Sequence, residues 1–298
     1  MPQPHPATSA RPLPDISAPF TLPFYYSSLY NCEVYYLVPL ERVAPFLANT
    51  VFAPATFDGK AAVGYDYQLY TGQFSGPSPD APDDQWPTFQ VGVTQELELN
   101  IVVYPKALAA EVATVTFEQF VFGDEQSKLL GHVRVFLPCD DPTAIGAGEK
   151  LFGEPKFQTT IRANLPSDNG IRKAGSAYAQ EWVETWGFRI DDPTDSKVAI
   201  MTCRVDLRGL TSRPAGASPL TEYGAFNKTP IGCRWNILQP HDTYMLADSE
   251  AKRVRLTLGA STHDMRRALH ELIGDTPARA VRTIRSANAA IQNRAYFF

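Results

Sequence analysis

The sequence lacks the features that mark several common classes of protein. It has no stretch of about 18 apolar residues, which a transmembrane helix would need. Residues 1–23 hold seven prolines but no apolar segment of the kind found in a secretory signal peptide. Lysine and arginine total 27 against 32 aspartates and glutamates, and this net charge of -5 argues against binding to a nucleic-acid backbone. We therefore expect no membrane and no nucleic acid among the partners.

Cysteine and histidine are few and scattered. Cys32, Cys139, Cys203 and Cys233 make no C-x-x-C pair, and the five histidines form no cluster with the spacing of metal ligands. We therefore expect reduced cysteines that pack in the interior, no metal site and a cytoplasmic location.

The composition is that of a large folded domain. Hydrophobic residues make up 44% of the 298 residues, and a chain of this length buries roughly three-quarters of its unfolded surface. We find no internal repeat and no shift in composition, so the sequence predicts one domain, residues 24–298, after a proline-rich arm, residues 1–23. The arm is a candidate contact with a neighbouring subunit. A second segment rich in proline and glycine, residues 72–87, is predicted to be a surface loop and a candidate lid.

Alternation of apolar and polar residues dominates the remainder of the chain, which is the period of a β-strand. The predicted strands are 29–38, 89–103, 112–122, 132–137, 177–190, 198–207 and 253–258. The predicted helices are 40–47, interrupted by Pro45, and 264–273, with Ser261 or Thr262 as the N-cap. Many strands and few helices predict a mainly β (α+β) fold with a closed or nearly closed, mostly antiparallel sheet.

Two carboxylates share one face of the predicted strand 89–103. Glu96 and Glu98 are two residues apart, so their positions lie roughly 6.6 Å apart along the strand. The alternation alone predicts that this polar face is solvated.

One short segment carries the chemical signal. It runs from Ile145 to Phe157, and its glycines and Pro155 predict a sharp turn just before Lys156. Residues 148–156 resemble the Gly-Arg-Glu-x-x-x-x-Pro-Lys signature of the acetoacetate decarboxylase family, with Gly148, Leu151, Pro155 and Lys156 fitting without a gap. Residues 94–103 are similar to the strand that carries the active-site glutamate of this family, with Glu96 at that position.

The resemblance implies a fold and a mechanism. The fold is a single-domain, cone-like antiparallel β-barrel or double meander with few peripheral helices, and members of the family commonly form homo-oligomers. Lys156 would form a Schiff base with a small keto acid, Glu96 would transfer protons, and no cofactor would be needed because the imine is the electron sink. The resemblance also implies a strand at 278–292, where the alanine content and the spacing of the arginines favour a helix. We predict the strand.

The sequence departs from the family pattern in three places. Phe157 stands where the decarboxylases have a second lysine, and no arginine lies between Arg11 and Arg42 to match the arginine of the N-terminal strand. Glu149-Lys150 replaces the Arg-Glu pair of the signature. An unperturbed lysine is neutral in only about one molecule in 2,500 at pH 7, so the site must favour the neutral amine. With no neighbouring cation, we expect burial to be the main cause.

Three functions remain open at this point. The first is a lyase that decarboxylates a β-keto acid, and the second is an aldolase-dehydratase that uses the same lysine on 2-keto acids. The third is a non-catalytic small-molecule binder on the same fold, which Phe157 and the missing arginine make plausible. We expect Phe152, Phe157 and Glu98 to contact the substrate, and the two phenylalanines suggest a large apolar one.

Overall fold

The structure of the chain is a computed structural model that describes residues 12–76, 90–166, 171–172, 180–181 and 185–298. Its strands are β1 (Phe24–Pro39), β2 (Phe52–Pro54), β3 (Thr56–Phe57), β4 (Lys60–Phe74), β5 (Gln90–Pro105), β6 (Gly131–Cys139), β7 (Lys156–Gln158), β8 (Ile161–Asn164), β9 (Ile171–Arg172), β10 (Gln180–Glu181), β11 (Thr185–Asp191), β12 (Ala199–Asp206), β13 (Arg213–Ala215), β14 (Leu220–Phe226), β15 (Thr229–Ile237), β16 (His241–Met245), β17 (Val254–Leu258), β18 (Ala278–Gln292) and β19 (Tyr296–Phe297). The α-helices are α1 (Leu40–Leu47), α2 (Phe117–Phe122), α3 (Pro142–Ala147) and α4 (Asp264–Leu272). Shorter helical turns are Lys106–Glu111, Gly148–Phe152 and Ala251–Arg253.

Seven strands pair in a circuit that closes on itself. The order is β18, β1, β4, β5, β6, β14 and β15, and β15 pairs back to β18. All of these pairings are antiparallel except that of β6 with β14; β7 also joins β6 in parallel. The prediction of a mainly β chain is confirmed, and the sheet is mixed rather than purely antiparallel.

A second sheet covers one side of this circuit. It has four strands in the order β17, β12, β11 and β8. Its inner side chains pack with the outward-facing apolar residues of β1, β4 and β5 and with α4 in the largest hydrophobic core; Leu97, Leu99 and Phe188 belong to this core.

The other face of β1, β4 and β5 points into the circuit and is polar. Side chains from strands that are not neighbours meet there, since the hydroxyl of Tyr35 on β1 lies 3.1 Å from Nε2 of His132 on β6. Glu96 and Glu98 lie on this face and are each only 4% exposed. The prediction of a solvated face was therefore wrong, because closure of the circuit buries it.

Most predicted elements are present. The strands predicted at 29–38, 89–103, 132–137, 198–207, 253–258 and 278–292 correspond to β1, β5, β6, β12, β17 and β18, and the two predicted helices correspond to α1 and α4. The predicted strand 177–190 is represented by β10 and β11, and its residues 177–179 and 182–184 lie outside the described residues.

Two local predictions were wrong. The segment 112–122 ends in α2 rather than forming a strand, because Thr116 and Gln119 form a reciprocal capping box and Gly123 closes the helix in a left-handed conformation. Helix α4 is capped by His263, whose ring nitrogen accepts a hydrogen bond from the amide of Met265, and not by Ser261 or Thr262.

Residues 12–23 of the proline-rich arm lie against their own chain. Phe20 is buried and packs against Phe74, with ring centroids 5.3 Å apart, and Arg294 donates a hydrogen bond to the carbonyl of Pro14. Residues 1–11, and residues 77–87 of the candidate lid, lie outside the described residues.

Several other expectations bear on function. All four cysteines are free and buried, so the prediction of interior thiols is confirmed. Within the described ranges, no group of three or more histidine, cysteine, aspartate or glutamate side chains is arranged to hold a metal ion. The described part of the chain also has no helix that is long and apolar enough to span a membrane.

Candidate active site

Lys156 is placed by a tight turn between two parts of the sheet. The helical turn Gly148–Phe152 ends at Gly153, which has a φ of 63°. A Cβ at Gly153 would lie 1.9 Å from the carbonyl oxygen of Ala225, so only glycine fits this position without a rearrangement. The chain then enters β7, where Lys156 pairs in parallel with Leu137 of β6. The lysine side chain is thereby directed into the circuit and is 5% exposed.

Two carboxylates hold the amino group of Lys156. Its Nζ donates a hydrogen bond to Oε2 of Glu96 at 2.7 Å and lies 3.1 Å from Oε2 of Glu154. Burial by itself lowers the pKa of Lys156, but the charges of Glu154 and Glu96 outweigh it and hold the pKa well above its ordinary value. The expectation that burial keeps this lysine neutral was therefore wrong. The contacts of Nζ with these two carboxylates favour the ammonium form of the side chain.

A buried arginine lies behind this pair. Nη1 of Arg134 is 3.0 Å from Oε1 of Glu154, 2.9 Å from Oε2 of Glu222 and 4.0 Å from Oε1 of Glu98. Burial opposes the ionisation of Glu154, but Lys156 and then Arg134 overcome it, so the pKa of Glu154 is lowered. Burial raises the pKa of Glu98 and of Glu222. The two cations therefore stabilise Glu154 as an anion, while burial keeps the pKa values of Glu98 and Glu222 above their ordinary range.

Hydrogen bonds extend this cluster across the circuit. The hydroxyl of Tyr70 donates to Oε2 of Glu96 at 3.3 Å. On the opposite side, the amide of Gln292 donates to Glu222 and its oxygen accepts from the hydroxyl of Tyr26, both at 3.1 Å. The rings of Tyr26 and Tyr70, at the two ends of this set of contacts, pack against each other with centroids 5.1 Å apart. We call this set the polar belt: Tyr26, Tyr70, Glu96, Lys156, Glu154, Arg134, Glu222 and Gln292.

A partly open cavity lies between the polar belt and a group of apolar side chains. The apolar residues that line it are Phe24, Phe74, Val91, Ala144, Ala147, Phe152 and Trp235. Lys156 is the only lysine or arginine lining this cavity among the residues that the structure describes. The cavity therefore offers a molecule one amine, several carboxylates, tyrosine hydroxyls and an aromatic wall.

The predicted site residues separate into two groups. Lys156, Glu96, Glu98 and Phe152 all line the cavity. Phe157 does not, because consecutive residues of a strand point to opposite faces and its ring stacks on His263, with centroids 4.6 Å apart. The geometry therefore gives Phe157 no contact with the cavity, contrary to the expectation that it binds substrate.

Several residues of the site were not predicted. Glu154 stands two residues before Lys156, and an acidic residue inside the turn predicted beside the candidate lysine was the available signal. Arg134, Glu222 and Gln292 carry no comparable signal, because they lie on three strands that closure of the circuit brings together.

Comparison with known proteins shows what the fold is similar to. No protein-family model and no curated protein sequence matches the chain. Among solved structures, the enduracididine biosynthesis enzyme MppR in complex with pyruvate has a TM-score of 0.57 at 14% identity, covering 94% of this chain and 92% of that one. An acetoacetate decarboxylase has a TM-score of 0.56 at 14% identity and 95% coverage of both chains. The acetoacetate decarboxylase of Legionella pneumophila has a TM-score of 0.55 at 10% identity, covering 99% of this chain and 92% of that one. At these identities the likeness shows a shared fold.

Proposed function

We propose that this chain, which has the fold of acetoacetate decarboxylase, is a lyase that forms a Schiff base on Lys156 and decarboxylates a β-keto acid. One observation carries the proposal. The amino group of Lys156 is buried at the lining of a cavity, with the carboxylate of Glu96 2.7 Å away and that of Glu154 3.1 Å away. We further propose that the closed circuit of strands is the cone-like barrel that the resemblance implies.

The first step requires a neutral amine. The ammonium of Lys156 passes a proton to Glu96, its nearest carboxylate, and Nζ then attacks the carbonyl carbon of the substrate. The carbonyl oxygen leaves as water after accepting protons, one of which Glu96 supplies. The product is a protonated imine, which keeps the positive charge that the ammonium had. The neighbouring carboxylates therefore stabilise the imine as they stabilised the resting lysine.

Loss of carbon dioxide follows from the electrostatics of the cavity. A substrate carboxylate would find no unpaired cation among the described lining residues, and a carboxylate 5 Å from another carboxylate is repelled by roughly 3 kcal/mol at an effective dielectric constant of about 20. Breaking the carbon–carbon bond sends its electron pair into the imine and releases neutral carbon dioxide. The enamine carbon then takes a proton, water hydrolyses the imine, and Lys156 is regenerated. The repulsion is relieved as the reaction proceeds, which favours the transition state.

A second function is favoured by the pair of carboxylates at Nζ. Glu96 and Glu154 approach the amine from different elements, so one could remove a proton from a bound imine while the other returns one. This arrangement suits aldol condensation and dehydration of a 2-keto acid. A solved structure of MppR with the condensation product of pyruvate and imidazole 4-carboxaldehyde shares the fold, at a TM-score of 0.56 and 13% identity.

Product analysis separates these functions. The protein is incubated with β-keto acids and carbon dioxide is measured; in parallel it is incubated with pyruvate and an aldehyde, and the enone is measured. We expect carbon dioxide release that is lost in Lys156→Arg, which keeps the positive charge but has no nucleophilic amine. Enone formation without carbon dioxide would favour the aldolase-dehydratase. No product in either reaction would favour a non-catalytic binder.

A further inference from the structure

Arg134 is the second buried cation of the site, and the reaction proposed above gives it no part. It projects from β6 and is 6% exposed. It does not line the cavity, so it is not placed to touch a substrate. Its charged contacts are with carboxylates of the polar belt, chiefly Glu154 and Glu222.

Glu154 connects Arg134 to Lys156. One carboxylate oxygen lies 3.0 Å from Nη1 of Arg134, and the other lies 3.1 Å from Nζ of Lys156. The backbone amide of Glu154 donates to the carbonyl of Gly148 at 3.1 Å, and a Cβ at Gly148 would lie 2.1 Å from Oε2 of Glu154. The backbone of Glu154 is thus anchored in the turn beside Lys156 by a contact that does not involve Arg134.

We infer that Arg134 is a positioning residue that acts on Lys156 through Glu154, by taking a share of the carboxylate's charge and so limiting how firmly Lys156 is held as an ammonium ion. The significance of this inference for catalysis rests on the proposed function, since only the neutral amine attacks a carbonyl. The physical basis is that a carboxylate bonded to two cations stabilises each of them less than it would stabilise one alone. Burial makes the effect large, because these charges interact in a medium of low dielectric constant.

Other titratable or charged groups also face Lys156 and influence its protonation. They are Tyr26 of β1, Tyr70 of β4, Glu96 and Glu98 of β5, Arg134 and Cys139 of β6, Glu154 of the turn before β7, and Glu222 of β14. Arg134 is the only cation in this set. Glu222 lies 2.9 Å from Arg134 and competes with Glu154 for its charge. A change at Glu222 should therefore alter how strongly Glu154 stabilises the ammonium form of Lys156.

The test measures the protonation of Lys156 without any catalysis. The whole protein is treated with a trace of acetic anhydride at a series of pH values, and mass spectrometry follows acetylation of the peptide that contains Lys156. The midpoint of reactivity should rise by one pH unit or more in Arg134→Met, which corresponds to about a tenfold loss of neutral amine at a fixed pH. Arg134→Lys should restore the midpoint toward that of the wild type. Glu222→Gln should lower it, because Arg134 is then freer to pair with Glu154.

The control is Arg204→Met, which removes an exposed arginine on β12 and should leave the midpoint unchanged. A merely structural role for Arg134 would lower the melting temperature of Arg134→Met without moving the midpoint. A folded Arg134→Met with an unchanged or lowered midpoint would overturn the inference. If circular dichroism shows that this variant does not fold, an unchanged or raised midpoint in Glu222→Gln overturns it instead.

The two proposals fail separately. A shifted midpoint together with no Schiff base on added keto acids would reject the proposed function and keep the role of Arg134. A Schiff base together with unshifted midpoints would keep the function and reject the role of Arg134.

Discussion

Replacing Glu154 by glutamine should make Lys156 nucleophilic at lower pH. At 3.1 Å and an effective dielectric constant of about 20, the attraction between the carboxylate and the ammonium is about 5 kcal/mol, or about 4 pKa units. Arg134 lies 3.0 Å from the other oxygen and shares that charge, so we expect roughly half of the effect, a fall of about 2 pH units. Glu96 remains in contact with Nζ in this variant, which keeps part of the ammonium's stabilisation.

The assay is the pH dependence of imine formation, trapped with cyanoborohydride and a keto acid and measured by mass spectrometry. The matched control is Glu149→Gln, which removes the same charge from an exposed position in the same turn and should leave the profile unchanged. A profile for Glu154→Gln that coincides with the wild type, or that moves to higher pH, would refute the electrostatic account of Lys156.

Three other variants test separate features of the structure. Glu96→Gln removes the proton acceptor 2.7 Å from Nζ of Lys156 and should lower kcat by about 10²–10⁴, whereas an unchanged kcat would show that another group moves the proton. Gly153→Ala would place a Cβ 1.9 Å from the carbonyl oxygen of Ala225 at a φ of 63°, so urea unfolding should show a loss of about 1–3 kcal/mol, and a loss near zero would contradict the close approach of this turn to β14. Burial lowers the pKa of His241 to about 3 from 6.5, so its contribution to stability is present above about pH 6.5 and is lost as the pH falls. The wild type should therefore lose about 2 kcal/mol more than His241→Gln between pH 8 and pH 5 in urea unfolding, and parallel curves would reject this assignment.

The sequence predicted the elements of the fold better than their arrangement. Alternation identified β1, β5, β6, β12 and β17, because each of these strands has one apolar face that packs in a core. The capping box at Thr116 was a readable local signal, yet the β-branched residues before it favoured a strand. The parallel pairing of β6 with β14 depends on contacts between segments that are distant in the chain, and the alternation of residues within one strand does not predict such contacts.

The sequence predicted the part of the site that lies in one short segment of the chain. The turn before Lys156 is a short-range motif, and the position of Glu96 came with the resemblance. The charge state of Lys156 was predicted with the wrong sign, because it depends on Glu154 in the same turn and on Arg134 from another strand. Composition and spacing also gave no indication that the polar face carrying Glu98 would be enclosed.

The most direct test of the account is covalent trapping on Lys156. The protein is incubated with a β-keto acid and sodium borohydride, digested, and searched by mass spectrometry for the reduced adduct. The account predicts one added ketone-derived group on the peptide that contains Lys156, with no addition there in Lys156→Ala or Lys156→Arg and no turnover in either variant. An unmodified Lys156, or undiminished turnover in the two variants, would contradict a Schiff base at this residue.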